Sequence, residues 1–186
     1  MGAFLLNELI LQTSASIICL VRAGSPQEGK NRLWKSLLNY QLSDKSAFES
    51  RVIALVGDLG KPRLGLEKQT FLDIGMQIDA IVHNGCLVNF MCPYQQLKGP
   101  NVEAVAAIIR MAALKGQAKA TPIHYISSLS VFGVGASEKI LEGDDLPSSD
   151  EMQGHGAYTQ TKWVAEKMLV MARKRGIPVS IHRPGK

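Results

Sequence analysis

The chain has 186 residues, 46% of them hydrophobic and 20% charged, a balance that suits one globular domain, or one domain and part of another. No uncharged apolar run reaches the length of about 18 residues that a membrane span needs. The net charge of +5 suits a phosphate-bearing ligand or an acidic partner, but the cations are scattered, which argues against a nucleic-acid stripe. Cys19, Cys86 and Cys92 are odd in number and lack metal-ligand spacing, so free thiols in a reducing cytoplasm are expected.

Residues 3–12 read as an amphipathic helix and "SIICLV" (16–21) as a buried strand ending at Arg22. The apolar opening has no basic segment before it, and Asn7 and Glu8 interrupt it, so it does not read as a signal peptide. A helical pattern at 30–40 precedes the strand "RVIALVG" (51–57), and another at 66–75 precedes "AIVHNG" (80–85). A helix at 102–115 follows, with Asn101 as its expected N-cap. Beyond it come the strand "IHYISS" (123–128), an irregular stretch at 133–156, a helix at 158–175 and the strand "VSIHRP" (179–184). These short Ile- and Val-rich runs suit strands covered on both faces. Their alternation with helices predicts a parallel, doubly wound α/β sheet with right-handed crossovers.

In such a sheet ligands lie beyond the carboxyl ends of the strands. The residues there are Arg22, Asp58, Asn84, Gly85, Ser127, Ser128, Arg183 and Pro184. Any one polar strand end is unremarkable, but five in one chain favour a binding crevice. "CLVRAG" ends in a cation with no acid beside it. In a dinucleotide fold an acid at that place binds the ribose 2′-hydroxyl, whereas Arg accommodates a 2′-phosphate. NADP is therefore expected over NAD, with Arg32 or Lys30 as a second cation; a solvated surface Arg is the alternative.

"AYTQTKWVAEK" places Tyr158 and Lys162 four apart at the start of a helix, on one face. An ammonium beside a phenol is expected to lower the phenol's pKa and fit it for proton transfer. The Y-x-x-x-K spacing alone is a weak signal. Ser127 and Ser128, at the end of the preceding strand, can add a hydroxyl, so that three groups could surround the oxygen of a carbonyl being reduced. Of the remaining candidates, His83 and His124 read as core residues within strands, and His155 and His182 lack a metal partner. Met111, Met168 and Met171 read as core filler, and "ARKRG" as a solvated helix end.

"HYISSLSVFG", "YTQTK" and "IHRPG" together resemble an extended short-chain dehydrogenase/reductase. With "VGDLGKPRLGL", "HNGCLVNFMCPYQQLKGPNV" and "KWVAEKMLVMARKRGIPVSIHRPG", the chain is more narrowly similar to the thioester reductase domains. These terminate nonribosomal peptide and polyketide synthetases and occur in aminoadipate and carboxylic acid reductases. The resemblance implies a Rossmann-type domain and NADPH-dependent reduction of an acyl thioester, carried on phosphopantetheine by a carrier protein, to an aldehyde or further to an alcohol. By the same resemblance Ser128, where the family usually has Thr, binds the substrate carbonyl. Tyr158 donates the proton, and Lys162 binds the nicotinamide ribose. Arg22 and Arg32 hold the 2′-phosphate, Asp58 and Leu59 flank the adenine, and Asn84, Gly85 and Cys86 line the middle of the cofactor. Pro184 borders the nicotinamide, and Cys86 stands where the family usually has Ala.

Relatives of this kind open with a strand and a turn of pattern T-G-x-T-G-F-L-G, whose amides cradle a pyrophosphate. Only Gly2 matches that turn, so the resemblance implies a domain spanning 1–186 that lacks a central strand and a C-terminal substrate lobe. Five parallel strands are expected, with "SIICLV" and "AIVHNG" not joined by a regular ladder, and so is weak or no NADPH binding by the 186 residues alone. An epimerase-like or ketone-reducing relative acting on a free small molecule, and a non-catalytic interaction module, are the alternative readings.

Overall fold

The computed structural model describes residues 1–42, 44–133 and 146–185. Half of the loop expected at 133–156, from 134 to 145, lies outside the described residues. Two compact units are present, Met1–Asp58 and Leu59–Lys186.

In the first unit α1 (Gly2–Gln12) leads to β1 (Ile17–Val21), then α2 (Pro26–Leu38), α3 (Lys45–Arg51) and β2 (Val52–Val56). The parallel pair β1–β2 runs in register from Ile17 opposite Val52 to Val21 opposite Val56. Helix α2 begins earlier than its hydrophobic period suggests. Ser25 caps it by accepting from Glu28 N at 3.2 Å, and Pro26 supplies a preset first turn. At Gly29 the helix meets β1 so closely that a Cβ would fall 2.7 Å from Val21 Cγ1. The core of this unit is purely apolar: Ala3, Leu6, Ile10, Leu37, Phe48 and Val52, flanked by Leu33 and Trp34. Arg51 closes the end of α1, donating from Nη1 to Ile10 O at 2.8 Å and from Nε to Ala15 O at 2.9 Å.

The second unit carries α4 (Lys68–Gln77), β3 (Ile81–His83), α5 (Tyr94–Lys98), a π-helical segment (Gly99–Glu103), α6 (Ala104–Ala112) and β4 (Ile123–Ile126). There follow α7 (Ser149–Met152), α8 (Ala157–Lys174) and β5 (Val179–His182). Its three strands are parallel in the order β3–β4–β5, with Ile81, Ile123 and Val179 aligned. All five expected strands are therefore present, parallel within each sheet, and β1 and β3 belong to different sheets.

Three expectations are corrected. The strands are not covered on both faces: Ile18 and Ile53, which are register partners, and Val82 are all exposed. Asn101 is no N-cap but sits inside the π segment of a continuous helical run from Tyr94 to Ala112. Met171 is exposed, unlike the buried Met111.

Candidate active site

Helix α8 buries one face against the rest of the second unit, and that face carries Tyr158, Thr161, Lys162, Ala165, Glu166 and Leu169. Four of these six bear polar groups, which is not how a helix forms a core. The Lys162 ammonium, only 2% exposed, donates from Nζ to the Ile126 carbonyl at 2.8 Å and lies 4.7 Å over the Tyr125 ring. This bond ties the Tyr158–Lys162 pair to the carboxyl end of β4, where Ser127 and Ser128 begin.

Ser128 has extended backbone and opens a 3₁₀ turn over Leu129–Phe132. Its Oγ accepts from Ser130 N at 3.2 Å, which leaves its own proton for another acceptor. Ser127 Oγ is buried with no hydrogen-bond partner among the described residues. Glu166, fully buried, receives Arg183 through Nη2–Oε2 at 2.7 Å and Nε at 3.1 Å, and the guanidinium lies 4.8 Å over the Phe132 ring. Sequence reasoning missed this pair, although its signal was present: Glu166 follows Lys162 by four and so falls on the buried face. Pro184, the next residue, is half-buried.

Asn84, Gly85 and Cys86 follow β3. A Cβ at Gly85 would lie 2.7 Å from Leu59 Cδ1 and would push that side chain aside. Asn101 fastens the segment from the other side: its Oδ1 accepts from Leu87 N at 2.7 Å and its Nδ2 donates to Leu87 O at 3.0 Å and to Thr161 Oγ1 at 3.1 Å. Asn89 turns the next residues by accepting from Met91 N at 2.9 Å, and Phe90 meets the Tyr158 ring edge-on at 5.2 Å. Cys86, a half-buried thiol, lies near enough to Tyr158 and Lys162 to act on both electrostatically.

Electrostatics overturn one expectation. The phenol of Tyr158 is not lowered by its lysine: burial first, then Cys86, push it up to about 12. Lys162 is itself lowered by burial, opposed by Cys86 and Glu166. His83 stacks on Tyr125 at 5.7 Å, and burial with the nearby Lys162 charge lowers it to about 3, so it is neutral, as a core histidine should be. Burial raises the half-buried Cys19 to about 11, which makes it an inert thiol.

The remaining site residues lie on the first unit, apart from Leu59, or at its start. Gly2 is the first residue of α1. At the end of β1 the exposed Arg22 offers its carbonyl to Arg32 Nη1 at 2.8 Å, so two guanidinium-bearing residues share one strand end. Lys30 does not join them, because it pairs with Glu49 at 2.9 Å. An acid does stand at that turn after all: Glu28 Oε2 accepts from Gly24 N at 2.8 Å. Asp58 and Leu59, both half-buried, follow β2. Among the described residues no group of three or more His, Cys, Asp or Glu could hold a metal, and no helix is long and apolar enough to cross a membrane.

Known proteins resemble this chain over its whole length. Residues 1–186 match the NAD-binding family described as male sterility protein. The chain is 44% identical to a component of the linear gramicidin synthase of Brevibacillus parabrevis, spanning all of this chain and 4% of that protein. It is 32% identical to the L-2-aminoadipate reductase of Schizosaccharomyces pombe, over all of this chain and 14% of that enzyme. Among solved structures, the terminal R domain of the myxalamid PKS-NRPS biosynthetic pathway superposes with a TM-score of 0.92 at 42% identity, covering 100% of this chain and 45% of that one. The chain thus spans a small part of these curated relatives and about half of the solved R domain. With its parallel α/β sheets, it belongs to the NAD(P)-binding reductase family that includes the terminal reductase domains of peptide and polyketide synthetases.

Proposed function

We propose that this chain carries the catalytic residues of an NADPH-dependent reductase that converts an acyl thioester, held on the phosphopantetheine arm of a carrier protein, to an aldehyde. The observation that carries this reading is the bond from Lys162 Nζ to the Ile126 carbonyl, two residues before Ser128, which supports a shared site for Ser128, Tyr158 and Lys162. NADPH, when bound, supplies the hydride. Ser128, already accepting from Ser130 N, donates its proton to the thioester carbonyl oxygen, and Tyr158 donates to the same oxygen as negative charge grows there. A phenol held in its protonated form suits that role. Once the carbonyl carbon is reduced, the oxygen carries the proton from Tyr158, and loss of the pantetheine thiol leaves the aldehyde.

On the second unit, Asn84, Gly85, Cys86, Lys162 and Pro184 are the residues proposed to meet the cofactor. On the first unit, Arg22 and Arg32 are proposed to hold a 2′-phosphate, and their shared strand end supports NADP over NAD, with Glu28 engaged by the Gly24 amide. The test is incubation of the protein with an acyl-phosphopantetheinyl carrier and either NADPH or NADH. Aldehyde formation matched by NADPH oxidation is expected, slow in keeping with the weak NADPH binding expected of these 186 residues, and at least about tenfold more efficient than with NADH, a difference of about 1.4 kcal/mol in transition-state binding. Reduction of free ketones but of no thioester would reject the proposal.

A further inference from the structure

Glu166 is a fully buried carboxylate, and the chemistry proposed above gives it no step. It continues the buried face of α8 that carries Tyr158 and Lys162. Its partner Arg183, at the carboxyl end of β5, presents two surfaces at once. The edge of the guanidinium grips the carboxylate, with Nη2 donating to Oε2 at 2.7 Å and Nε donating to Oε1 and Oε2 at 3.1 Å. Its face lies 4.8 Å over the ring of Phe132, the last residue of the turn that Ser128 opens. A planar, forked cation can do both, whereas an ammonium is a point charge without a face.

Two further bonds complete a ring around the proposed reaction centre. Lys162 Nζ donates to Ile126 O at 2.8 Å, joining α8 to β4, and Ser127 N donates to His182 O at 2.7 Å, joining β4 to β5. Arg183 closes the ring from β5 back to α8, and through Phe132 it holds the far end of the Ser128 turn. Stability alone does not account for such a pair, since apolar groups of similar volume typically stabilise a core as well or better. What the pair supplies is a fixed relation between three chain segments.

We propose that Glu166 and Arg183 are positioning residues for the reduction: their pair sets the Ser128 turn against the Tyr158 face of α8, so that both hydroxyls meet one carbonyl oxygen. The inference rests on the reductase reading above. Misplacing a reacting group by about 1 Å can cost about 10²-fold in rate, so a pair that touches no reacting atom can still govern turnover.

The test measures kcat and KM for an acyl-pantetheine thioester and for NADPH in the wild-type protein, in the double variant Glu166→Met with Arg183→Met, and in Phe132→Leu, with folding checked by circular dichroism. The double variant should lose about 10–100-fold in kcat, with each KM within about threefold of wild type. Phe132→Leu, which leaves the ion pair intact, should lose about tenfold in kcat. Adding Ser128→Ala separates positioning from general damage. In the wild-type background it should lower kcat by about 10²-fold, the scale of one lost oxyanion donor. In the double variant, where Ser128 is already out of place, it should cost less than about threefold. A wild type that reduces no thioester overturns the reductase reading. With an active wild type, a folded double variant at full kcat, or Ser128→Ala losses that simply multiply, overturns the positioning role alone. Should the double variant not fold, Phe132→Leu at full kcat overturns it.

Discussion

The two units bury different chemistry. Every buried polar or charged residue among the described ones (His83, Asn101, Thr121, Ser127, Thr161, Lys162 and Glu166) belongs to the second unit, whereas the core of the first is entirely apolar. An apolar core needs only area removed from water and tolerates substitution of similar volume. Buried polar groups must find partners, and an unmatched one costs about 1–3 kcal/mol. A protein retains such groups in number where they have work beyond folding. In the first unit the polar groups stay at the surface, where Ser25, Glu28 and Arg51 cap helices and Arg22 and Arg32 face outward. The contrast separates a unit whose core is purely structural from one whose core holds the proposed reaction centre.

The largest expected effect touches that centre alone. Tyr158→Phe should lower thioester turnover by about 10²–10⁴-fold, the usual scale of a lost general acid, with an unfolding midpoint close to wild type. A variant retaining full turnover would remove Tyr158 from the chemistry.

Next comes the buried ion pair. Glu166→Ala strands the Arg183 guanidinium and should cost about 3–5 kcal/mol in urea unfolding. Changing both, Glu166→Met with Arg183→Met, should recover most of that loss, because two matched apolar groups replace two matched charges. Leu37→Ala in the first unit should cost about 2–5 kcal/mol, and no second substitution of opposite charge can rescue it. Equal rescue in both units would erase the distinction between the two cores.

His83 sets a pH dependence. Its folded pKa lies near 3 against an ordinary 6.5, so between those values the unfolded chain binds a proton that the folded chain refuses. The stability from the neutral ring is fully present above about pH 6.5 and falls by about 1.4 kcal/mol per pH unit as pH drops toward 3. His83→Phe, which keeps a ring against Tyr125, should flatten that acid limb in unfolding curves taken at several pH values. An unchanged slope would place the acid sensitivity elsewhere.

The smallest expected effect belongs to the first unit. Ser25→Ala removes the cap of α2 and should cost about 1 kcal/mol, measured by thermal unfolding, with no change in the Tyr158 titration.

Much of this arrangement is legible in the sequence, for reasons that can be named. The five strands are short Ile- and Val-rich runs bounded by turn residues, and the four-residue step from Tyr158 to Lys162 fixes their common face whatever surrounds them. Helix α3 is hard to read because its seven residues hold little periodicity, and only Asp44, which accepts from Ala47 N at 3.0 Å, marks its start. Asn101 reads as a helix start, yet the π segment absorbs both it and Pro100, and the helical run is continuous through them. Composition also misleads about the strand faces, because Ile18 and Val82 satisfy a buried-strand pattern while lying exposed. Least readable is the direction of the Tyr158 shift, since spacing gives the neighbour on the helix but not the burial or the thiol from another segment.

The π segment at Gly99–Glu103 has a further consequence. One additional residue in a helix advances everything beyond it by about 100° around the axis. The run from Tyr94 to Ala112 is thus one rod with a wider turn in its middle, and Leu97 before that turn and Val105, Ile108 and Ala112 after it are all buried. Asn101 sits in the wider turn, and its amide reaches Leu87 and Thr161 at once. Deleting one residue there would turn Leu97 by about 100° relative to Val105, Ile108 and Ala112.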